Sequence, residues 1–203
     1  MQSLAIFPLF YLPPVSYFTA LKAHDFDIQL EKYEHFPKQT YRNRASIASP
    51  NGILDLTIPV VKGSKMHTPI KDVKISYDLK WQRLHWLSLQ TCYRNSAYFE
   101  FYEDGLIPFY QKKFDYLFDY NLELLEWIFK QLKVNPLLSF NETYEKEMPL
   151  DLDYRNKFSS KKVNPGAETK SYFQVFSDRN EFIANLSIVD LLFNQGPQTK
   201  LYL

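Results

Sequence analysis

Leu4-Ala5-Ile6-Phe7-Pro8-Leu9-Phe10-Tyr11-Leu12-Pro13-Pro14-Val15-Ser16-Tyr17-Phe18-Thr19-Ala20-Leu21-Lys22 runs from an apolar tetrad through a proline-rich turn into helical spacing, and Asp27-Ile28-Gln29-Leu30 follows. Leu4 to Phe7 reads as a short buried strand. Pro8 and Pro13-Pro14 interrupt it, because proline fixes φ and removes a backbone donor. Val15 to Lys22 forms a helix with Val15, Phe18 and Leu21 inward. Asp27 to Leu30 is a second strand, and strand-turn-helix-strand is the order of a βαβ unit.

Downstream, Arg44 to Ser49 and Ile53 to Val61 flank Pro50-Asn51-Gly52. Asn-Gly supplies the positive φ values of a tight hairpin turn. Leu54, Leu56, Ile58 and Val60 alternate with Asp55, Thr57 and Pro59, so the second arm buries one face. Asp72 to Ile75 suggests a further strand after an exposed loop, Lys62 to Pro69. From Leu79 to Val134 the spacing is helical. Trp81, Leu84, Leu87 and Thr91 fall on one face, and Leu122, Leu125, Phe129 and Leu132 share another. Tyr98 to Tyr110 is a separate helix, Leu137 to Phe140 a strand, and Tyr154 to Lys170 a polar surface loop. Ser187-Ile188-Val189-Asp190 has the form of a helix N-terminal cap, and Gly196-Pro197 stops that helix. The expected fold class is α/β. Residues 1–203 form one domain, a mixed β-sheet with a strand-turn-helix-strand start, a β-hairpin and packed helices.

The chain of 203 residues is 45% hydrophobic and 23% charged, which suits one globular core. Aromatics reach 17%, enough either to edge that core with hydrogen-bonded rings or to line a pocket for a planar ligand. A net charge of +1 gives no field for a phosphate backbone, so no nucleic-acid partner is expected. Cys92 is the single cysteine and cannot form an intramolecular disulfide, which suits a reducing compartment. His24, His35, His67 and His85 are scattered, and no metal-ligand spacing occurs. No signal peptide or membrane span is evident, so a cytoplasmic location is expected. Gly-rich phosphate loops and nucleophile elbows are absent, and no motif specifies a cofactor.

Lys38-Gln39-Thr40-Tyr41-Arg42-Asn43-Arg44 carries the densest polar chemistry. In an extended segment Arg42 and Arg44 share a face, and Lys38 can converge on it. Arginine offers a fork matched to carboxylate or phosphate, which makes the cluster an anion site with Gln39 and Asn43 orienting the ligand. Asp27, Glu31, Glu34 and His35 lie upstream as ion-pair partners, so a paired charge cluster is the alternative. His35 is the candidate general base. Tyr11, Trp81, His85 and Trp86 form a second candidate pocket, although a helical His beside aromatics equally suits a structural role.

Read in order, these residues resemble the WbqC-like family of bacterial proteins. The resemblance is carried by Pro8-Leu9-Phe10-Tyr11-Leu12-Pro13 with Tyr17-Phe18, and by Lys38 to Arg44, Asn51-Gly52 and Leu56 to Val60. Trp81, His85-Trp86, Tyr93 and Tyr98-Phe99 continue it, and Leu186 to Pro197 closes it. Members commonly place Gln or His where this chain has Phe7. The resemblance implies a role in O-antigen or other surface-polysaccharide synthesis, with a transferase activity of the amino-acyl kind. On that basis the expectation is a cytoplasmic transferase acting on an activated sugar or an amino-acyl or acyl donor, with a small anionic substrate. Lys38, Arg42 and Arg44 would hold its phosphate or carboxylate and His35 would move a proton. A non-catalytic binding or scaffold protein that holds a partner's acidic groups is the alternative.

Overall fold

The computed structural model describes residues 4–61, 67–159 and 170–203. Ala5–Phe7 (β1) and Asp27–Leu30 (β2) pair in parallel, with Ala5 opposite Ile28, and Val15–Ala23 (α1) makes the crossover. The third strand of this sheet comes from far along the sequence. Leu137–Phe140 joins β2 in parallel, giving the order β1, β2 and the late strand. On the far side of β1, Ile6 bridges Asp153, with Ile6 N–H donating to Leu152 O and Tyr154 N–H to Ile6 O, both at 2.9 Å. The carboxyl ends of all these strands therefore point to one edge.

Arg44–Ser49 (β3) and Gly52–Thr57 (β4) form an antiparallel hairpin outside that sheet. Within the hairpin, positive φ falls on Gly52 alone, at 98°. Pro50 at the first loop position fixes a negative φ, which bars the expected turn with two positive values. The second arm stops at Thr57 rather than Val61, because Pro59 has no N–H for a ladder, and Val60 instead bridges Ile75. Asp72 to Ile75 is a correction too: Ile70–Asp72 is a short 3-10 turn, and beyond it only isolated bridges form.

Trp81–Tyr93 (α2), Phe99–Leu106 (α3), Pro108–Gln111 (α4) and Leu117–Leu132 (α5) follow. The single helix expected from Tyr98 to Tyr110 is split at Pro108, whose ring carries no N–H. On α2 the inward face is Trp81, His85, Leu89 and Cys92, while Leu84 and Leu87 are exposed. The apolar residues of α2 fit two phases of the helical period, and packing selected the other one. On α5, Leu125, Phe129 and Leu132 are buried as their spacing predicts. The strand Leu137–Phe140 (β5) comes next, and Ile188–Gln195 (α6) closes the core. No helix among the described residues is long and apolar enough to cross a membrane.

The aromatic content goes mainly into the core. Phe7 stacks on Tyr154 at 4.2 Å and meets Tyr17 edge-on at 5.7 Å. Tyr154 to Lys170 had the composition of a surface loop, yet Tyr154 packs against this core and Arg155 is buried. Residues 160–169 of that loop, and 62–66 of the loop before Pro69, lie outside the described residues.

Candidate functional site

Each parallel strand delivers a polar segment to the same edge. Glu31 follows β2 directly, Asn141 follows β5, and Asp153 is the residue bridged to β1, with Arg155 two positions beyond it. Glu31 is fully buried. Its Oε1 accepts from the N–H groups of Tyr33 and Glu34 and from Asn141 Nδ2, and its Oε2 from Arg155 Nη1 at 3.3 Å. Arg155 also clasps Asp153 through Nε and Nη2, at 2.9 and 2.7 Å, and donates to Glu145 O. Those bonds hold the Asp153 carboxyl below its ordinary pKa and the Arg155 guanidinium above its own.

Arg42 and Glu34 complete the network. Arg42 Nε and Nη2 donate to the two Glu34 oxygens at 2.6 and 2.5 Å, and Nη2 also donates to Arg155 O. Both residues are buried. Burial pushes the Glu34 carboxyl upward by more than the Arg42 hydrogen bonds draw it back. The Arg42 position differs from the expected extended geometry. Residues around Gln39 form a turn, with Gln39 itself at φ 58°, and this turn brings Arg42 back onto Glu34. Asn121 Nδ2 fixes that turn by donating to Arg42 O at 2.7 Å.

Above the network lies a cleft of ≈ 230 Å³ lined by Glu34, His35, Pro37, Tyr144, Arg155 and Asn156. His35 is exposed at its side, stacked on His67 with ring centroids 4.7 Å apart. Backbone pairing of His35 with Pro69 and of Phe36 N–H with Thr68 O holds this wall. Tyr144 forms another wall, with the Arg155 guanidinium 4.9 Å from its ring centroid. In open α/β sheets, ligands bind outside the carboxyl ends of the strands, which is where this cleft sits.

The sequence-selected residues divide into three groups. His35 lines the cleft, and Lys38 and Gln39 lie exposed on the adjoining turn. Arg42 is buried against Glu34 in the cleft floor, Asn43 is buried with its Nδ2 donating to Ile58 O, and Arg44 is half-buried on β3. Tyr11, Trp81 and His85 are buried elsewhere in the core. There Tyr11 Oη is 3.0 Å from both His85 Nδ1 and Tyr110 Oη. Burial lowers the His85 pKa to about 4, so the ring is held neutral, while the neighbouring Thr57 backbone acts in the opposite sense. Among the described residues no group of three or more His, Cys, Asp or Glu side chains is arranged to hold a metal ion.

Asp153, Arg155, Asn141 and Tyr144 were invisible as site residues in the sequence. They lie in segments with no motif, and only the parallel pairing of β5 and the Asp153 bridge brings them to Glu31. Asp190 is a second case. Ser187 Oγ caps α6 by accepting from Val189 N–H, but the Asp190 carboxylate turns inward to accept from Tyr93, Tyr172 and Gln174.

A family model described as the WbqC-like protein family matches residues 10–175. The chain is also 25% identical over 228 residues to the "Uncharacterized protein Rv1507c" of Mycobacterium tuberculosis, covering 100% of this chain and 98% of that protein. No solved structure gives a significant match.

Proposed function

The chain belongs to the WbqC-like protein family, and from that premise we propose that it is a transferase that modifies a small sugar-derived, acyl or amino-acyl substrate in surface-polysaccharide synthesis. The observation that carries this reading is the cleft at the carboxyl edge of the parallel sheet, with an exposed imidazole beside a buried carboxylate. His35 takes the proton of the acceptor's hydroxyl or amine as it attacks the donor, and the bond from the transferred group to its carrier breaks, its electron pair leaving with the carrier. Lys38 and Gln39, on the exposed turn next to Pro37, hold the anionic group of the donor. Arg42 and Arg155 act through their carboxylates, fixing the cleft floor rather than gripping the ligand.

One observation favours the non-catalytic alternative. Arg42 is already neutralised by Glu34, and Arg155 by Asp153, as in a purely structural network. The two readings separate on His35. Incubation with nucleotide sugars, acyl-CoA compounds and aminoacyl donors should show donor consumption by the wild type. His35→Ala should reduce it by about 100-fold, in the range of lost general-base catalysis. The melting temperature should hold, because the side chain is exposed. Equal consumption by both proteins removes His35 from the mechanism, and no thermal shift with any donor class favours the binding protein.

A further inference from the structure

We propose that the cleft beside Glu34 recognises a protonated primary amine on its small-molecule ligand, with the Glu34 carboxylate as counter-ion and Tyr144 as an aromatic wall. This rests on the cleft being the substrate site, and it assigns the chemistry of the group that enters.

Three carboxylates, Glu31, Glu34 and Asp153, face two guanidiniums, Arg42 and Arg155, which leaves one negative charge in excess when all are ionised. The guanidiniums are turned to their own partners. Arg155 spends Nε, Nη1 and Nη2 on Asp153, Glu31 and the Glu145 carbonyl, and Arg42 spends Nε and Nη2 on Glu34 and the Arg155 carbonyl. Of the two, only Arg155 lines the cleft, and it lies against the Tyr144 ring. A phosphate or carboxylate at the floor would meet the Glu34 carboxylate without a free fork to bind it, which leaves the donor's anionic group to Lys38 and Gln39 on the adjoining turn. An ammonium instead brings a donor to an acceptor and a positive charge to the excess negative one.

Two further features agree. Tyr144 is 51% exposed beside the cleft, so its ring is accessible to a cation. Burial of Glu34 is incompletely offset by Arg42, as its raised carboxyl pKa indicates. A second cation from the cleft side removes that deficit, so the site is better satisfied with an amine than without one. An α-amino group titrates at about 7.7–8.0 and a simple alkylamine higher, so a titration at about pH 6.5 keeps the probe amines charged.

Calorimetric titration of the full chain at that pH, with glucosamine, ethanolamine and glycine methyl ester, each against its N-acetylated counterpart, and with glucose 6-phosphate, tests the assignment. The amines are expected to bind at least about tenfold tighter than the acetylated forms, the loss expected when a charged hydrogen bond to a buried carboxylate is removed. Tyr144→Ala should weaken amine binding several-fold and leave the melting temperature unchanged. Glu34→Gln should erase the preference for amine over N-acetyl, but that variant also breaks the Arg42 pair, so Tyr144→Ala carries the localisation. Binding of glucose 6-phosphate in preference to the amines, weakened by Tyr144→Ala, would overturn the ammonium assignment and leave the cleft as the substrate site. Amine binding indifferent to Tyr144→Ala, or no binding by any probe, overturns it as well, while the His35 experiment still decides the transferase reading.

Discussion

His85 shows how one side chain reports on its surroundings. Its ring lies on α2 against Tyr11 and Trp81, and burial draws its pKa from 6.5 to about 4. As pH falls, the unfolded chain takes up this proton before the folded one. The contribution of His85 to stability is therefore complete above pH 6.5 and is lost between pH 6.5 and about 4. The loss should reach up to about 3 kcal/mol, from 1.36 kcal/mol per pKa unit. Glu34 and Asp190, whose carboxyls burial pushes upward, titrate with the opposite sign. The informative quantity is thus the difference between wild type and His85→Gln in denaturant unfolding across this range. Parallel pH profiles for the two proteins would show that the ring does not titrate as its burial requires.

At the scale of elements, the end of α6 is tightly constrained. Gly196 takes φ 52°, and a Cβ built there would lie 2.5 Å from Tyr98 Cδ1. Tyr98 N–H donates to Phe193 O, so the ring cannot retreat without loosening the contact between α3 and α6. Gly196→Ala should cost at least about 2 kcal/mol, combining overpacking with left-handed strain, and a drop in melting temperature measures it. A neutral result would mean that Tyr98 swings aside freely. The phase of α2 belongs to the same scale. Leu84, Leu87 and Thr91 fit the helical period as well as His85, Leu89 and Cys92 do, and periodicity alone does not choose between them.

Across the whole molecule, Arg155 joins parts of the chain that are remote in sequence. It bonds Glu31, which is 124 residues away, and through Asp153 it is tied to the backbone bridge on β1. Arg155→Met leaves Glu31 and Asp153 without their cation, and removing one partner of a buried pair costs about 3–5 kcal/mol. Equilibrium unfolding should show that loss, with hydrogen exchange rising first in residues 141–155. A change within about 0.5 kcal/mol, typical of surface substitutions, would show that the network contributes nothing to holding the sheet edge.

Features encoded over a few residues are legible in the amino-acid order. The opening strand, turn, helix and strand, the hairpin, the inward face of α5, the Ser187 cap and the strand Leu137–Phe140 are all written in local spacing and turn chemistry. Even the pairing of Arg42 with an upstream carboxylate was open to reading, because Glu34 is 8 residues away. Tertiary structure alone decided that β5 lies beside β2, that Arg155 is buried beneath a cleft and that Asp190 turns inward. It also decided that the Lys38 to Arg44 segment divides between an exposed turn and a buried ion pair. The reason is physical: a long-range contact is selected by the packing of whole elements and by the cost of burying a charge unpaired, and neither quantity repeats along the chain with a period that sequence spacing reveals.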